Sequence, residues 1–197
     1  NFATRKIVVI GVFSAIAAIL MVLEFPVPFA PSFYGLDFSE LPALIGAFAY
    51  GPVAGVMIEF CKILIKLVLK PSSTAFVGEL ANFSISCMLV LPASVIYLFK
   101  KSRKQAILGT VVGTLIMTAF GSCFNAIYLL PKFSELYGIP LDAIIGMGTA
   151  INPAIHSISG LVLMCVVPLN LLKGGLVSLI TILVYKKLSP ILKAAHK

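Results

Sequence analysis

Long apolar runs separated by brief polar punctuation fill the chain. A membrane-crossing helix needs about 20 largely apolar residues, and runs near 5–23, 52–69, 77–99, 105–130 and 165–186 approach that length. A shorter run at 40–50 joins them if its flanks extend it. Gly51-Pro52 separates the second run from the third, because proline cannot continue the upstream hydrogen-bond ladder. The runs do not alternate with the period of two that marks an outer-membrane barrel. The expected fold class is all-α, a polytopic membrane protein with six transmembrane helices. No linker divides the chain, so residues 1–197 read as one integral membrane domain.

Composition narrows the class further. With 60% hydrophobic and 11% charged residues, the chain has too little polar surface to coat a water-soluble globule. Its net charge of +8 is unevenly placed. Arg5 and Lys6 precede the first run; Lys100, Lys101, Arg103 and Lys104 follow the fourth; Lys186, Lys187, Lys193 and Lys197 follow the last. Six spans put all ten on one side, so the positive-inside rule places both termini in the cytoplasm. The other side carries Lys132 and, at its rim, Lys70. Attraction to anionic lipid accounts for the basic excess, and no nucleic acid is needed. The first run lacks an Ala-x-Ala-like exit and leads into Glu24-Phe25-Pro26, so it is expected to remain a span. Residues 141–167 are apolar enough to cross, but a seventh helix would reverse the basic C-terminus. Their first part, through Asn152-Pro153, is expected to be an outer loop or surface helix, with His156 on the face of Asn152.

Polar residues inside the runs are the candidate chemistry. Lys173 sits three residues after Asn170 within an apolar stretch, where an ionisable group is costly unless it faces protein or a wet cavity. At 1.5 Å per residue, Lys173 and Asn170 lie about 20 and 24 Å above Lys186. Asn82 and Glu79 lie about 27 and 32 Å above Lys100, and Asn125 about 32 Å above Lys104. From Pro52, Lys62 and Lys66 come out at about 15 and 21 Å. In a hydrocarbon core about 30 Å thick these groups gather in the outer half, which points to a pocket open to the outside.

Structural roles compete with that reading. Glu59, Lys62, Lys66 and Lys70 share a helical face and could pair to hold helices together; Glu79 and Asn82 could cap; Asn125 and Asn170 could bond between helices. Cys61, Cys87, Cys123 and Cys165 are scattered in apolar segments as small buried hydrophobes, with no metal-ligand spacing. Gly11, Ser14, Ala15 and Ala18 line one side of the first helix, suited either to internal packing or to docking on another membrane subunit. No Walker, HExxH or GxSxG motif is present, and the seven acids form no adjacent pair for acid–base work, so no catalytic residue is assigned and an enzyme is a poor reading.

Three blocks together resemble a known family. Leu36-Asp37-Phe38-Ser39-Glu40-Leu41-Pro42-Ala43-Leu44-Ile45-Gly46-Ala47-Phe48, continuing to Gly55, is similar to the riboflavin-specific S components of energy-coupling factor (ECF) vitamin transporters. Gly78-Glu79-Leu80-Ala81-Asn82-Phe83 and Pro168-Leu169-Asn170-Leu171-Leu172-Lys173-Gly174 match two further family blocks. The resemblance implies a six-helix protein that captures riboflavin, with flavin mononucleotide (FMN) as a second ligand, from outside. Its implied partners are a transmembrane coupling subunit and two ATPases, and it implies no bound cofactor or metal. It places Asn170 and Lys173 against the polar edge of the isoalloxazine ring and Asn125 in the pocket wall, with the loop from Tyr34 through Leu36, Asp37 and Phe38 to Glu40 closing over it. The family's helix-one motif is Ala-x-x-x-Ala; here Ser14 replaces the first alanine.

A flavin is a flat apolar ring with carbonyl and imide groups on one edge and a polyol chain, which suits an apolar slot with a few placed polar groups. Lysine and asparagine donate to ring carbonyls, an asparagine or carboxylate accepts the imide hydrogen, and Tyr34, Phe38 or Phe83 packs on the ring. The residues alone do not separate riboflavin from thiamine or biotin, nor an S component from a stand-alone secondary carrier.

Overall fold

A computed structural model describes residues 2–194. The chain is mostly helical. Helix α1 (Phe2–Val22) leads to a small antiparallel pair, β1 (Phe25–Pro26) and β2 (Gly35–Leu36), in which Phe25 faces Leu36 and Pro26 faces Gly35. Then follow α2 (Glu40–Tyr50), α3 (Pro52–Leu69), α4 (Val77–Phe99) and α5 (Arg103–Phe124). A wide π-helical turn, Asn125–Leu129, carries α5 into α6 (Leu130–Tyr137). After α7 (Leu141–Ile151) and the short α8 (Ile158–Leu161), a second π-helical turn, Val162–Val166, opens α9 (Val167–Ala194).

Among the described residues, four helical stretches are long and apolar enough to cross a membrane: Phe2–Val22, Val77–Phe99, Arg103–Tyr137 and Ile158–Ile191. The other two expected spans differ in kind. The flanks do not extend α2: it keeps 11 residues, about 16 Å of helix, because Gly51 adopts φ +96° and Pro52 starts a new helix. Helix α3 has 18 residues but carries Glu59, Lys62 and Lys66. The fifth and sixth runs are longer than the sequence suggested, since each passes through a π turn without breaking. Residues 141–151 form a helix, but Asn152 ends it and His156 lies in the turn beyond, so those two do not share a helical face.

Packing builds three apolar clusters. One joins α1, α2, α3 and α4 through Ala17, Ala43, Ala47, Ile58 and Val90. A second joins α2, α4, α5 and α9 through Leu44, Phe48, Leu89, Ala93, Met117 and Val177. The third lies where α4 begins, and gathers Tyr34 and Leu36 with both π turns, α7 and α8. The α4–α5 seam is close because a Cβ at Gly109 would stand 2.6 Å from the Ala93 carbonyl oxygen, and one at Gly113 would stand 2.5 Å from that of Leu89. Small residues of this kind let membrane helices approach backbone to backbone.

The stripe on α1 is divided. Ser14 and Ala18 are fully buried inside the chain, and the Ser14 hydroxyl donates to the Ile10 carbonyl. Gly11 and Ala15 are exposed, with nothing near the Cβ position of Gly11. Two of the four expected docking residues therefore already serve internal packing. Of the cysteines, Cys87 and Cys165 are buried and Cys61 half-buried, but Cys123 is exposed, unlike the buried hydrophobe it was expected to be. Of the basic residues assigned to one side, Lys197 lies outside the described residues.

Candidate functional site

Between the second and third clusters lies a cavity of about 150 Å³. Helix α4 contributes Gly78, Asn82, Ile85 and Ser86; the two π turns contribute Asn125, Leu129 and Val166; α9 contributes Leu169, Asn170 and Lys173; the loop after β1 brings Phe33 and Tyr34, and β2 brings Gly35. Both π turns thus flank the site. A π turn inserts a residue into the helix and re-aims the side chains beyond it, and such turns are common at functional sites.

The polar wall residues differ in what holds them. Asn125 Nδ2 donates to the Gly121 carbonyl at 2.7 Å, and its Oδ1 accepts the Tyr34 hydroxyl at 2.9 Å. Asn170 packs over Gly121, whose missing Cβ leaves room for the amide. The Asn82 side-chain oxygen is buried with no hydrogen-bond partner. Buried polar atoms are normally satisfied, so this acceptor, on the cavity wall, is available to a ligand donor.

Lys173 is the charged group of the cavity. Its ammonium lies 2.8 Å from Glu40 Oε1 and 3.4 Å from Asp37 Oδ2. Glu40 also accepts from the Ser86 hydroxyl, and its second oxygen has no partner. Burial alone would raise the Asp37 carboxyl; Lys173, Lys62 and hydrogen bonds from Ser39 outweigh it and hold that carboxyl below the usual carboxylate range. Behind them, Lys62 pairs with Glu59 at 2.5 Å and donates to the Ser39 hydroxyl at 3.1 Å, all fully buried. The chain has no acid close to Lys173 in sequence; its partners come from 136 and 133 residues away, across the fold.

A second, more polar space of about 320 Å³ adjoins the first and shares Phe33, Gly78, Asn82 and Phe133 with it. Glu24, Lys66, Lys70, Ser73, Thr74 and Glu79 line this vestibule. Glu79 accepts from Lys66 at 2.5 Å and from the hydroxyls of Ser72 and Thr74 at 2.8 and 3.2 Å, pinning the loop before α4.

Of the candidate ligand residues, Tyr34, Asn82, Asn125, Asn170 and Lys173 meet on the first cavity, and Glu79 lines the vestibule. Asp37 and Glu40 reach the cavity through Lys173. Leu36 is core, and Phe38 packs on Phe25 with ring centroids 6.2 Å apart. Phe83 meets Phe60 edge-on at 6.1 Å, away from either space. Gly174 faces Thr114, so it serves α5–α9 packing. Ser86 was missed, although it lies four residues after Asn82 and so on the same helical face. Phe133 and Leu129 had no such signal, because they enter the wall only through the π turn.

The model of the ECF transporter substrate-specific component matches residues 5–185. The chain belongs to this family. It is 33% identical to a riboflavin transporter RibU of Staphylococcus aureus, over 96% of this chain and 93% of the relative. It is 32% identical to a riboflavin transporter FmnP of Bacillus subtilis, over 94% and 93%. A solved chain described as the S component of a bacterial ECF transporter superposes with a TM-score of 0.74 at 34% identity, covering 97% of this chain and 99% of that one. This S component is thus a subunit of a membrane transporter.

Proposed function

We propose that this S component binds riboflavin in the first cavity and delivers it to an ECF coupling subunit driven by two ATPases. The observation that carries the reading is the unpartnered Asn82 oxygen on a mostly apolar wall, beside the amides of Asn125 and Asn170 and the ammonium of Lys173. An imide N–H donates to Asn82, ring carbonyls accept from Asn170 and Lys173, and Ile85, Leu129, Val166 and Leu169 cover the ring faces. Ligand sites usually measure about 300–1,000 Å³. The first cavity is smaller, so the polyol chain extends into the vestibule past Gly78, where hydroxyls and Glu79 match it. FMN is the second ligand of this reading, its phosphate lying toward Lys66 and Lys70. The loop Tyr34–Glu40 closes over the cavity, and in the free chain Lys173 tethers it through Asp37 and Glu40.

Six spans, counting α2 with α3 as a bent pair, put both termini in the cytoplasm and the vestibule outside. Helix α1 meets the coupling subunit through Gly11 and Ala15. The test is a titration of the purified chain with riboflavin: flavin fluorescence quenches and saturates at one ligand per chain. Saturable binding of thiamine or biotin with no flavin quenching would move the specificity to another vitamin. Uptake into liposomes containing this chain alone would make it a secondary carrier.

A further inference from the structure

Three carboxylates, Asp37, Glu40 and Glu59, share one buried cluster with two ammonium groups, those of Lys62 and Lys173. Full ionisation leaves one uncompensated negative charge where the surroundings cannot screen it. The second Glu40 oxygen has no hydrogen-bond partner. The cluster therefore has no spare cation, yet the ligand reading above asks it to give up Lys173.

We propose that riboflavin and the Asp37–Glu40 carboxylates compete for the Lys173 ammonium, and that Asp37 takes up one proton from solvent when the ligand wins. This rests on the riboflavin reading. The charged groups around Asp37 are few: Lys173 on α9, Glu59, Lys62 and Lys66 on α3, Glu40 on α2, Glu24 after α1, and Lys70 at the rim. Lys66 is already engaged by Glu79, and Lys62 by Glu59. Neither is free to replace Lys173, and Lys70 lines the vestibule outside the buried cluster. Once it turns to a ring carbonyl, burial acts on the Asp37 carboxyl with its strongest opposing charge removed. The step forms one O–H bond with a proton supplied by buffer through the vestibule; nothing is oxidised or reduced.

The sign follows from linkage. Asp37 is held low in the free protein and raised in the complex, so the complex binds more protons and affinity rises as pH falls between those two values. Above the complex's value, affinity is flat; within the window it changes by up to about tenfold per pH unit. Asp37 acts here as a positioning residue for Lys173.

The experiment is isothermal titration of the intact chain with riboflavin, which has no group titrating between about pH 5 and 8.5; FMN is avoided because a phosphate titrates near 6. We expect roughly tenfold tighter binding near pH 5.5 than near pH 8, and binding heats near pH 5.5 that differ between succinate and MES buffers by about the difference of their ionisation heats for one proton. Asp37→Asn flattens the pH profile and equalises the heats. Lys173→Met does the same, since no ammonium is left to exchange. Equal heats with a flat profile in the wild type overturn the proposal alone, as does proton uptake that persists in both variants. Absence of flavin binding at every pH overturns the riboflavin reading with it.

Discussion

Where α4 ends, the hydroxyls of Tyr97 and Tyr185 lie 2.9 Å apart, with Phe48 against Tyr97 at 4.5 Å and glycines closing the seam to α5. Where α4 begins, Asn82, Asn125 and Asn170 surround open space, and the Asn82 and Glu40 side chains keep unpartnered oxygens. Both ends bury polar groups in apolar surroundings. At the first end each hydroxyl has the other as its partner, and neither oxygen is left without one. At the second, donors and acceptors exceed what the chain itself satisfies. Spare capacity and open volume together, more than polarity alone, separate a binding end from a packing end.

Between the two lies the Glu59–Lys62 pair, and breaking it has the largest expected effect. Both side chains are fully buried, and removing one partner of a buried ion pair costs about 3–5 kcal/mol because the other charge is stranded. Lys62→Met should lower the thermal midpoint accordingly, and adding Glu59→Gln should recover most of the loss. If the double variant is no more stable than the single one, the pair is not what holds α3.

Next comes the binding end itself. Asn170→Ala and Lys173→Ala should each weaken riboflavin binding by about 1–3 kcal/mol, or roughly 5- to 150-fold. Lys173→Met tests the charge while keeping chain length. Unchanged affinity in both Lys173 variants, read by fluorescence titration, removes Lys173 from the ligand. At the packing end, Tyr97→Phe should cost about 1 kcal/mol in stability and leave flavin affinity as it was. A fall in affinity there would show the two ends to be coupled, and would erase the contrast between them.

Much of this contrast was legible in the sequence. Intramembrane polarity picked out Asn82, Asn125, Asn170 and Lys173, since helix rise converts position into depth and all four come out in the outer half of the core. Gly51-Pro52 marked its break for an equally local reason. What escaped was whatever depended on partners distant in the chain. Nothing near Lys173 announces Asp37 and Glu40, and whether Lys62 and Lys66 form ion pairs or a site turns on which acids the fold brings alongside. The π turns leave no pattern in the sequence, so the runs at 105–130 and 165–186 fall short of the helical stretches Arg103–Tyr137 and Ile158–Ile191. Spacing on α1 aligned Gly11, Ser14, Ala15 and Ala18, but it could not say which of them α2 and α3 would cover.

That division of α1 supports the prediction with the smallest effect on the isolated chain. Ala15 is exposed and Ala18 fully buried, so the same enlargement should act differently at the two. Ala18→Leu overfills the interior and should cost about 1–3 kcal/mol in stability. Ala15→Leu enlarges an exposed side chain, and should change stability and flavin affinity by no more than about 0.5 kcal/mol. If α1 docks on the coupling subunit, the added side chain prevents close helix approach, so co-purification with the coupling module and ATP-driven uptake in liposomes should both fall while binding survives. The far cavity gives the control within the same preparation, because riboflavin titration reads the binding end and uptake reads the docking face. Full uptake by Ala15→Leu would place the partner on another face of the bundle. Loss of flavin affinity in that variant would mean that α1 transmits strain to the cavity, and then the binding end would not be independent of the surface that carries it.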